Sequence, residues 1–259
     1  VRGYRSSKAM CRADWQNGDF QVVGKENLSS TSSPSVLDLG LMEMDQLQPG
    51  IINPATGKAT YGYVMEAIDA CLAGQVDAVA TCPANKEAMK SAGIPHPGHT
   101  EIFAERTQSK RFCMAFFSKT ISCSLVTVHA GYTEVPGLLS EERIIDVIEL
   151  TRETHEKLLG KEPSIGICGL NPHAGENGLF GNGEEERIIM PAIEKTRAKG
   201  FNLTGPLPPD TAFTESMRRQ IDAYVCMYHD QGLIPVKALA FEEAVNVTLG
   251  LPIVRTSVD

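Results

Sequence analysis

SEERIIDVIELTRETHEKLLGKEPSIGICGLNPHAGE, Ser140–Glu176, carries the reading of the fold. Ser140 is placed to cap a helix, Glu141 and Glu142 complement the positive end of its dipole, and Ile144, Val147, Ile148 and Leu158 mark a buried side before Gly160. Ser164–Cys168 then reads as a short buried strand, followed by a polar turn that contains His173. A helix feeding a buried strand is the repeating step of an α/β sheet.

The same step recurs on both sides. From Thr60, Val64, Ala67, Ile68, Cys71 and Leu72 keep the three-and-four spacing of one helix face, Gly74 can end the helix, and Asp77–Thr81 follows as a strand. Downstream, Glu184–Lys199 has acidic residues in its first turn, Ile188, Ile189, Ala192 and Ile193 on one face and Gly200 at its end. Asp222–Tyr228 is a further strand, and Arg111–Phe117 with Ile121–Val128 flank Ser118-Lys119-Thr120 as a hairpin. The pattern predicts an α/β architecture with a largely parallel central sheet and an antiparallel piece from the hairpin. The first fifty residues carry no such pattern, and the polar Asn27–Pro34 (NLSSTSSP) reads as an exposed loop.

With 259 residues and 42% hydrophobic content, the chain can bury a full core as one large domain or two lobes. No apolar run approaches the roughly 18 residues of a membrane span. Val1–Arg12 show neither an apolar h-region nor a small-residue cleavage site, so the expected location is the cytoplasm. The seven cysteines (Cys11, Cys71, Cys82, Cys113, Cys123, Cys168 and Cys226) include no CxxC pair and read as reduced thiols in apolar runs. A formal net charge of −8 without a basic block argues against nucleic acid, although a local group of cations can still hold a small anion.

Three of the six histidines stand at or just after strand ends: His129 in VTVHAG, His173 in GLNPHAGE and His229 in YVCMYHDQG. In open α/β sheets ligands bind beyond the carboxyl ends of the strands, where side chains distant in sequence converge. Three imidazoles suit a divalent ion and leave positions for a substrate, whereas a lone loop histidine is more often only hydrogen-bonded or solvated. Asp230 can orient His229 or serve a helix terminus. Lys237, Asn246 and Arg255 in the last segment suit anion binding, with surface ion pairs as the default for the two cations. The glycine-rich Gly175–Glu186 runs into a helix and can offer N–H groups to a phosphate or form a capped loop. There is no GxGxxG after a strand, P-loop, GxSxG elbow or nucleophilic cysteine signature.

Five ordered strings closely resemble the 4-hydroxythreonine-4-phosphate dehydrogenase family: GIPHPGHTEIFAERT (Gly93–Thr107), GLNPHAGE (Gly169–Glu176), GPLPPDT (Gly205–Thr211), YHDQGLIPVK (Tyr228–Lys237) and NVTLGLPIVRTSVD (Asn246–Asp259). The resemblance runs from about Pro49 to the end. It implies an isocitrate/isopropylmalate dehydrogenase-like α/β fold, with two intertwined lobes around a shared mixed sheet over residues 1–259, and a homodimer whose active site lies at the subunit interface. It implies that His129, His173 and His229 bind a divalent metal (Zn, Co, Mn or Mg), one of them supplied across the dimer. It further implies that His99, Thr100, Lys237, Asn246 and Arg255 contact substrate and that Lys86, in CPANK, is an additional active-site lysine; Lys86 and Asp230 are the expected catalytic residues.

The implied reaction is oxidation of a phosphorylated substrate, 4-phosphohydroxy-L-threonine, by NAD or NADP, with decarboxylation to 3-amino-2-oxopropyl phosphate on the path to pyridoxal phosphate. Related enzymes oxidise D-threonate or D-erythronate 4-phosphate, or aromatic cis-dihydrodiol carboxylates. HAGYTEVPG departs here from an HLPL-like string of the pyridoxal branch. The family's GDPAGIGPE-like opening and its HGTA-like continuation after SVD are expected to be missing from this chain. A reading from another class is a three-histidine hydrolase with metal-bound water as nucleophile.

Overall fold

A computed structural model describes residues 21–96 and 98–257, so Cys11 and the first twelve residues lie outside the described part. By contacts the chain forms two units: one runs up to Ser109 and includes Pro252–Arg255, the other takes Lys110–Leu251 and the residues from Thr256.

In the first unit, strands β1 (Gln21–Val23) and β2 (Ser35–Leu37) pair in parallel where the sequence pattern predicted nothing. Between them the polar stretch opens with a 3-10 turn, Lys25–Ser30, that buries no residue. Helix α1 (Pro54–Leu72) starts six residues before Thr60, because Asn53 caps it by accepting from the Ala55 N–H at 2.8 Å and Pro54 is pre-set for the first turn. Val64, Ile68 and Cys71 are buried as read, while Leu72 at the end is exposed. Strand β3 (Ala78–Thr81) leads to α2 (Lys86–Ser91), capped by Asn85, and then to α3 (His99–Arg106). Gly57 lets α1 and α2 touch, since a Cβ there would lie 2.1 Å from the Ala88 carbonyl oxygen.

The second unit begins with the hairpin, β4 (Cys113–Phe117) antiparallel to β5 (Cys123–Leu125). A short turn α4 (Val135–Leu138) precedes α5 (Glu141–Leu159). Ser140 accepts from the Arg143 N–H at 3.1 Å and Gly160 closes the helix at φ 66°. Leu158, expected on the buried side, is 65% exposed, because the apolar stripe drifts off the core in the last turn. Strand β6 (Ile165–Cys168) follows, then a π-helical turn at Glu185–Ile189 running into α6 (Met190–Arg197). Pro191 supplies no N–H to the α-helical ladder, and the Met190 N–H donates to the Glu185 carbonyl in the wider register.

The chain continues through β7 (Leu203–Leu207), the turns α7 (Pro209–Ala212) and α8 (Glu215–Arg218), β8 (Ala223–Cys226), α9 (His229–Ala240), β9 (Val245–Leu249) and β10 (Val254–Ser257).

The strand order is β3-β10-β9-β4-β5-β8-β6-β7. From β5 to β7 all neighbours are parallel, but β10/β9, β9/β4 and β4/β5 are antiparallel, so the sheet is mixed and less parallel than the periodicity suggested. The extra antiparallel pairs come from the last segment. Its two strands are joined by a tight connection at Gly250, whose φ of 86° brings it against the Arg111 carbonyl. Strands β6 and β8 are buried on both faces, with Ile144, Val147, Ile148, Ile165, Ile167 and Val225 in one core and Leu125, Tyr224, Cys226, Leu233 and Val236 in the other. Among the described residues no helix is long and apolar enough to cross a membrane, and the six described cysteines are free thiols, five of them buried and Cys82 exposed.

Candidate active site

Strands β5, β8 and β6 lie side by side and point the same way, so the segments leaving their carboxyl ends emerge at one edge of the sheet. His129, His229 and His173 stand on these three segments. The ladder runs on beyond β5, with Val126 and Thr127 N–H groups donating to Cys226 and Met227 carbonyls at 2.9 and 3.2 Å. That extension carries His129 level with His229, and their ring centroids are 5.8 Å apart. Both rings line a cavity of about 300 Å³ formed by Val128–Tyr132 and Tyr228–Asp230. His229 is the first residue of α9, and its Nδ1 is 2.7 Å from Asp230 Oδ1. Asp230 thus orients the imidazole and does not cap the helix. The Tyr132 hydroxyl donates to its other oxygen, and these two bonds, Tyr132 first, hold the Asp230 carboxyl below its ordinary pKa.

His173 is placed differently. It sits in a left-handed turn, with φ of 52° at both His173 and Ala174, and its ring stacks on Phe180 at 6.0 Å. Non-glycine residues in this region store strain that surrounding bonds must hold. The holding groups are buried: Glu185 Oε1 accepts from the Leu170 and Asn171 N–H groups at 2.8 and 2.7 Å, and Asn171 Nδ2 donates to Glu184 and Glu185 at 3.0 Å each. Burial raises the Glu184 pKa, but the Asn182 N–H and the Asn171 and Asn182 amides outweigh it and bring the net value down. Glu184 and Glu185, near the end of the glycine-rich stretch, thus accept N–H groups of Leu170, Asn171 and Asn182, and the Glu176, Leu179 and Phe180 N–H groups donate to backbone carbonyls, which favours the capped-loop reading over a phosphate cradle. Glu185→Ala is expected to destabilise the fold by about 2–4 kcal/mol, since buried N–H donors lose a charged acceptor. Urea unfolding measures this, and a change under half a kcal/mol would remove Glu185 from that role.

In the first unit, cationic groups gather around Arg255. Its Nη2 donates to Thr81 Oγ1 at 2.8 Å, its guanidinium lies 5.7 Å from the Phe103 ring centroid, and the residue is 4% exposed. Burial lowers its pKa, only partly offset by Glu101. His99 and Thr100 open α3, whose first turn has no side-chain cap, and Lys86 opens α2. The His99 pKa is lowered by burial first, then by the Arg255 and Lys86 charges, against Glu101. His99 therefore stays neutral at pH values where a free imidazole is half protonated. Below its ordinary value of about 6.5 the unfolded chain takes up the proton more readily, so stability falls as pH falls through this window. Lys86→Met is expected to raise the His99 pKa in an NMR titration; an unchanged midpoint would show that Lys86 is electrically remote.

Lys237 lies on the exposed side of α9 with its Nζ 5.8 Å from the Phe241 ring centroid. Asn246 on β9 has a buried Oδ1 with no hydrogen-bond partner among the described residues. Such a group is normally satisfied, so the atom is fitted to receive a donor from a ligand.

The family model described as pyridoxal phosphate biosynthetic protein PdxA matches residues 5–259. The chain belongs to the PdxA family. Within it, the chain is 51% identical over 208 residues to a 4-hydroxythreonine-4-phosphate dehydrogenase of Desulfosudis oleivorans, covering 80% of this chain and 61% of that one. It is 43% identical over 225 residues to a D-threonate 4-phosphate dehydrogenase of Salmonella typhimurium, covering 86% and 68%. The crystal structure of 4-hydroxythreonine-4-phosphate dehydrogenase from Klebsiella pneumoniae superposes with a TM-score of 0.85 at 38% identity, over 94% of this chain and 74% of that one. The chain spans about two thirds of the length of the curated relatives it matches. The fold is the PdxA-type mixed α/β fold, of the isocitrate/isopropylmalate dehydrogenase-like class.

For this PdxA-family chain, the structure brings His129, His229 and Asp230 together in one unit and Lys86, His99 and Arg255 in the other. Among the described residues no three histidine, cysteine or acidic side chains are close enough to hold an ion, so His173 does not complete a triad within one chain. Two imidazoles, one of them oriented through Nδ1 by a carboxylate, fit a metal that takes a further ligand from elsewhere. Sequence reasoning missed Tyr132, whose only signal was the departure of HAGYTE from the expected string. It also missed Gln231, buried in the HDQG string, which accepts from the Met227 N–H at 2.6 Å and donates to the Gly169 carbonyl at 2.7 Å. Gln231 thereby ties the ends of β8 and β6 together. A larger cavity, about 670 Å³, lies at Ile121, Ser122 and Asp222, at the amino ends of β5 and β8, the wrong end for a parallel-sheet ligand site.

Proposed function

We propose that the chain is a nicotinamide- and divalent-metal-dependent dehydrogenase that oxidises 4-phosphohydroxy-L-threonine and releases carbon dioxide to give 3-amino-2-oxopropyl phosphate. The observation that carries this reading is the His129–His229 pair over Asp230, at the ends of adjacent parallel strands in a chain whose relatives bear that enzyme's name. His129, His173 and His229, with one of the three contributed by a second copy, would hold a divalent cation, which would supply Lewis acidity to the substrate oxygen.

The chain's own groups have separate tasks. Asp230 holds the Nδ1 proton of His229, which leaves Nε2 as the lone pair for a ligand. Arg255, Lys86 and Lys237 supply positive charge for phosphate and carboxylate, and neutral His99 with Thr100 adds hydrogen bonds. Asn246 Oδ1 accepts from a substrate hydroxyl or ammonium. A bound nicotinamide, NAD or NADP, would supply the hydride acceptor for the substrate's C–H hydrogen, and the hydroxyl proton would go to a base. When carbon dioxide departs, the electron pair stays on the remaining carbon, which Lys86 Nζ can protonate.

Ile234 on α9 and Phe241 at its end, seven residues apart, are exposed apolar side chains, which supports a homodimer that covers them. The buried reduced thiols agree with a cytoplasmic setting.

The test is NADH formation, read by absorbance on protein of verified mass, with and without divalent metal. Metal-dependent NADH from 4-phosphohydroxythreonine supports the proposal. Turnover of D-threonate 4-phosphate alone would select the second reading, favoured by the Salmonella relative's name and the HAGYTEVPG departure. Metal-dependent hydrolysis without any nicotinamide requirement would overturn both.

A further inference from the structure

Tyr132 stands in a turn fixed by backbone bonds: the Glu134 and Val135 N–H groups donate to the Gly131 carbonyl at 2.9 and 3.2 Å, and the Gly131 N–H donates to the Glu134 carboxylate at 2.9 Å. Although 68% exposed, its ring meets the Tyr228 ring edge-on, centroids 5.9 Å apart, and its hydroxyl donates to Asp230 Oδ2. The other oxygen of the same carboxylate takes His229 Nδ1 at 2.7 Å. All four residues Tyr132, Tyr228, His229 and Asp230 line the cavity that holds His129. A carboxylate at the surface is free to rotate, and an aspartate bonded only to the neighbouring residue's ring would share its time with water. A second bond from a phenol on a different, fixed segment removes that freedom.

We propose that Tyr132 is a positioning residue for His229, acting through Asp230. The chain Tyr132 O–H to Asp230 Oδ2, then Asp230 Oδ1 to His229 Nδ1–H, fixes the Nδ1–H tautomer of the neutral imidazole, in which the lone pair is on Nε2. In metal sites the partner on the far nitrogen sets tautomer and ring orientation, and its loss commonly weakens metal binding 10–100-fold. Tyr132 acts one bond further out, so about a tenfold loss is expected for its removal. The inference rests on the proposed role of His229 as a metal ligand.

Tyr132→Phe keeps the ring against Tyr228 and deletes only the hydroxyl. Two readings separate the outcomes. In metal-free protein, nitrogen-detected NMR of the imidazoles reports the His229 tautomer; the wild type is expected to hold its proton on Nδ1, and the variant to populate the Nε2–H form. Competition titration with zinc then reports affinity, expected to fall about tenfold in the variant. An unchanged tautomer population, or a shifted tautomer with unchanged zinc affinity, overturns the positioning role. A tautomer shift in a protein whose wild type binds no zinc would leave the Tyr132–Asp230–His229 relay standing and sink the metal reading of the site instead.

Discussion

His229→Ala is expected to lower metal-dependent turnover by about 10³-fold or more while the chain stays folded. The residue opens α9 with its ring lining the cavity, and its partners are Asp230 and the neighbouring His129 ring, so little packing is lost with it. What goes is a metal ligand, and Lewis-acid polarisation of a reacting oxygen is worth several kcal/mol of barrier, with about 1.4 kcal/mol for each factor of ten. His129→Ala should behave alike. Metal content of the purified variants, measured by plasma emission, should fall in step with turnover. Full turnover in a metal-depleted His229→Ala protein would end the proposed mechanism.

Arg255→Met is expected to separate function from stability. The methionine keeps an apolar stem near Phe103, while the charge and its hydrogen bonds disappear. Burial depresses the Arg255 pKa, so the folded chain holds the cation less willingly than the unfolded chain does. Below the folded value, at every pH the protein meets, that charge costs stability, and removing it should leave thermal stability unchanged or raised. If the charge is retained for an anionic substrate, kcat/KM falls about 100-fold, chiefly through KM, the loss of one or two charge-assisted bonds. A variant that unfolds easily yet keeps its KM would show that Arg255 is a structural residue.

Much of this was legible in the chain. Ser140 and Gly160 bounded α5 to the residue, because caps are local chemistry that needs no tertiary partner. The alternation of helix and buried strand gave the α/β class for the same reason, and the placement of three histidines after apolar strands pointed to one edge of the sheet. The last segment drew no strand reading: β9 and β10 are short strands, β9 pairing with β4 and β10 with β9, and their antiparallel sense depends on the close turn at Gly250. The start of α1 was also misplaced, since Asn53-Pro54 precedes the apolar stripe by more than two turns.

The candidate site divides along the same line. By itself the sequence determined which residue types were on hand, because imidazoles, carboxylates and guanidinium groups carry their chemistry wherever they stand. Their grouping was decided by tertiary structure: β5 and β8 are neighbours though about a hundred residues apart, and only that pairing brings His129 beside His229. The left-handed turn that sets His173 apart is held by Glu185, and the hydroxyl that reaches Asp230 comes from Tyr132, 98 residues away. Bonds between segments so distant leave no periodic or local trace in a sequence, because the closure of those loops is settled by the packing of the whole sheet.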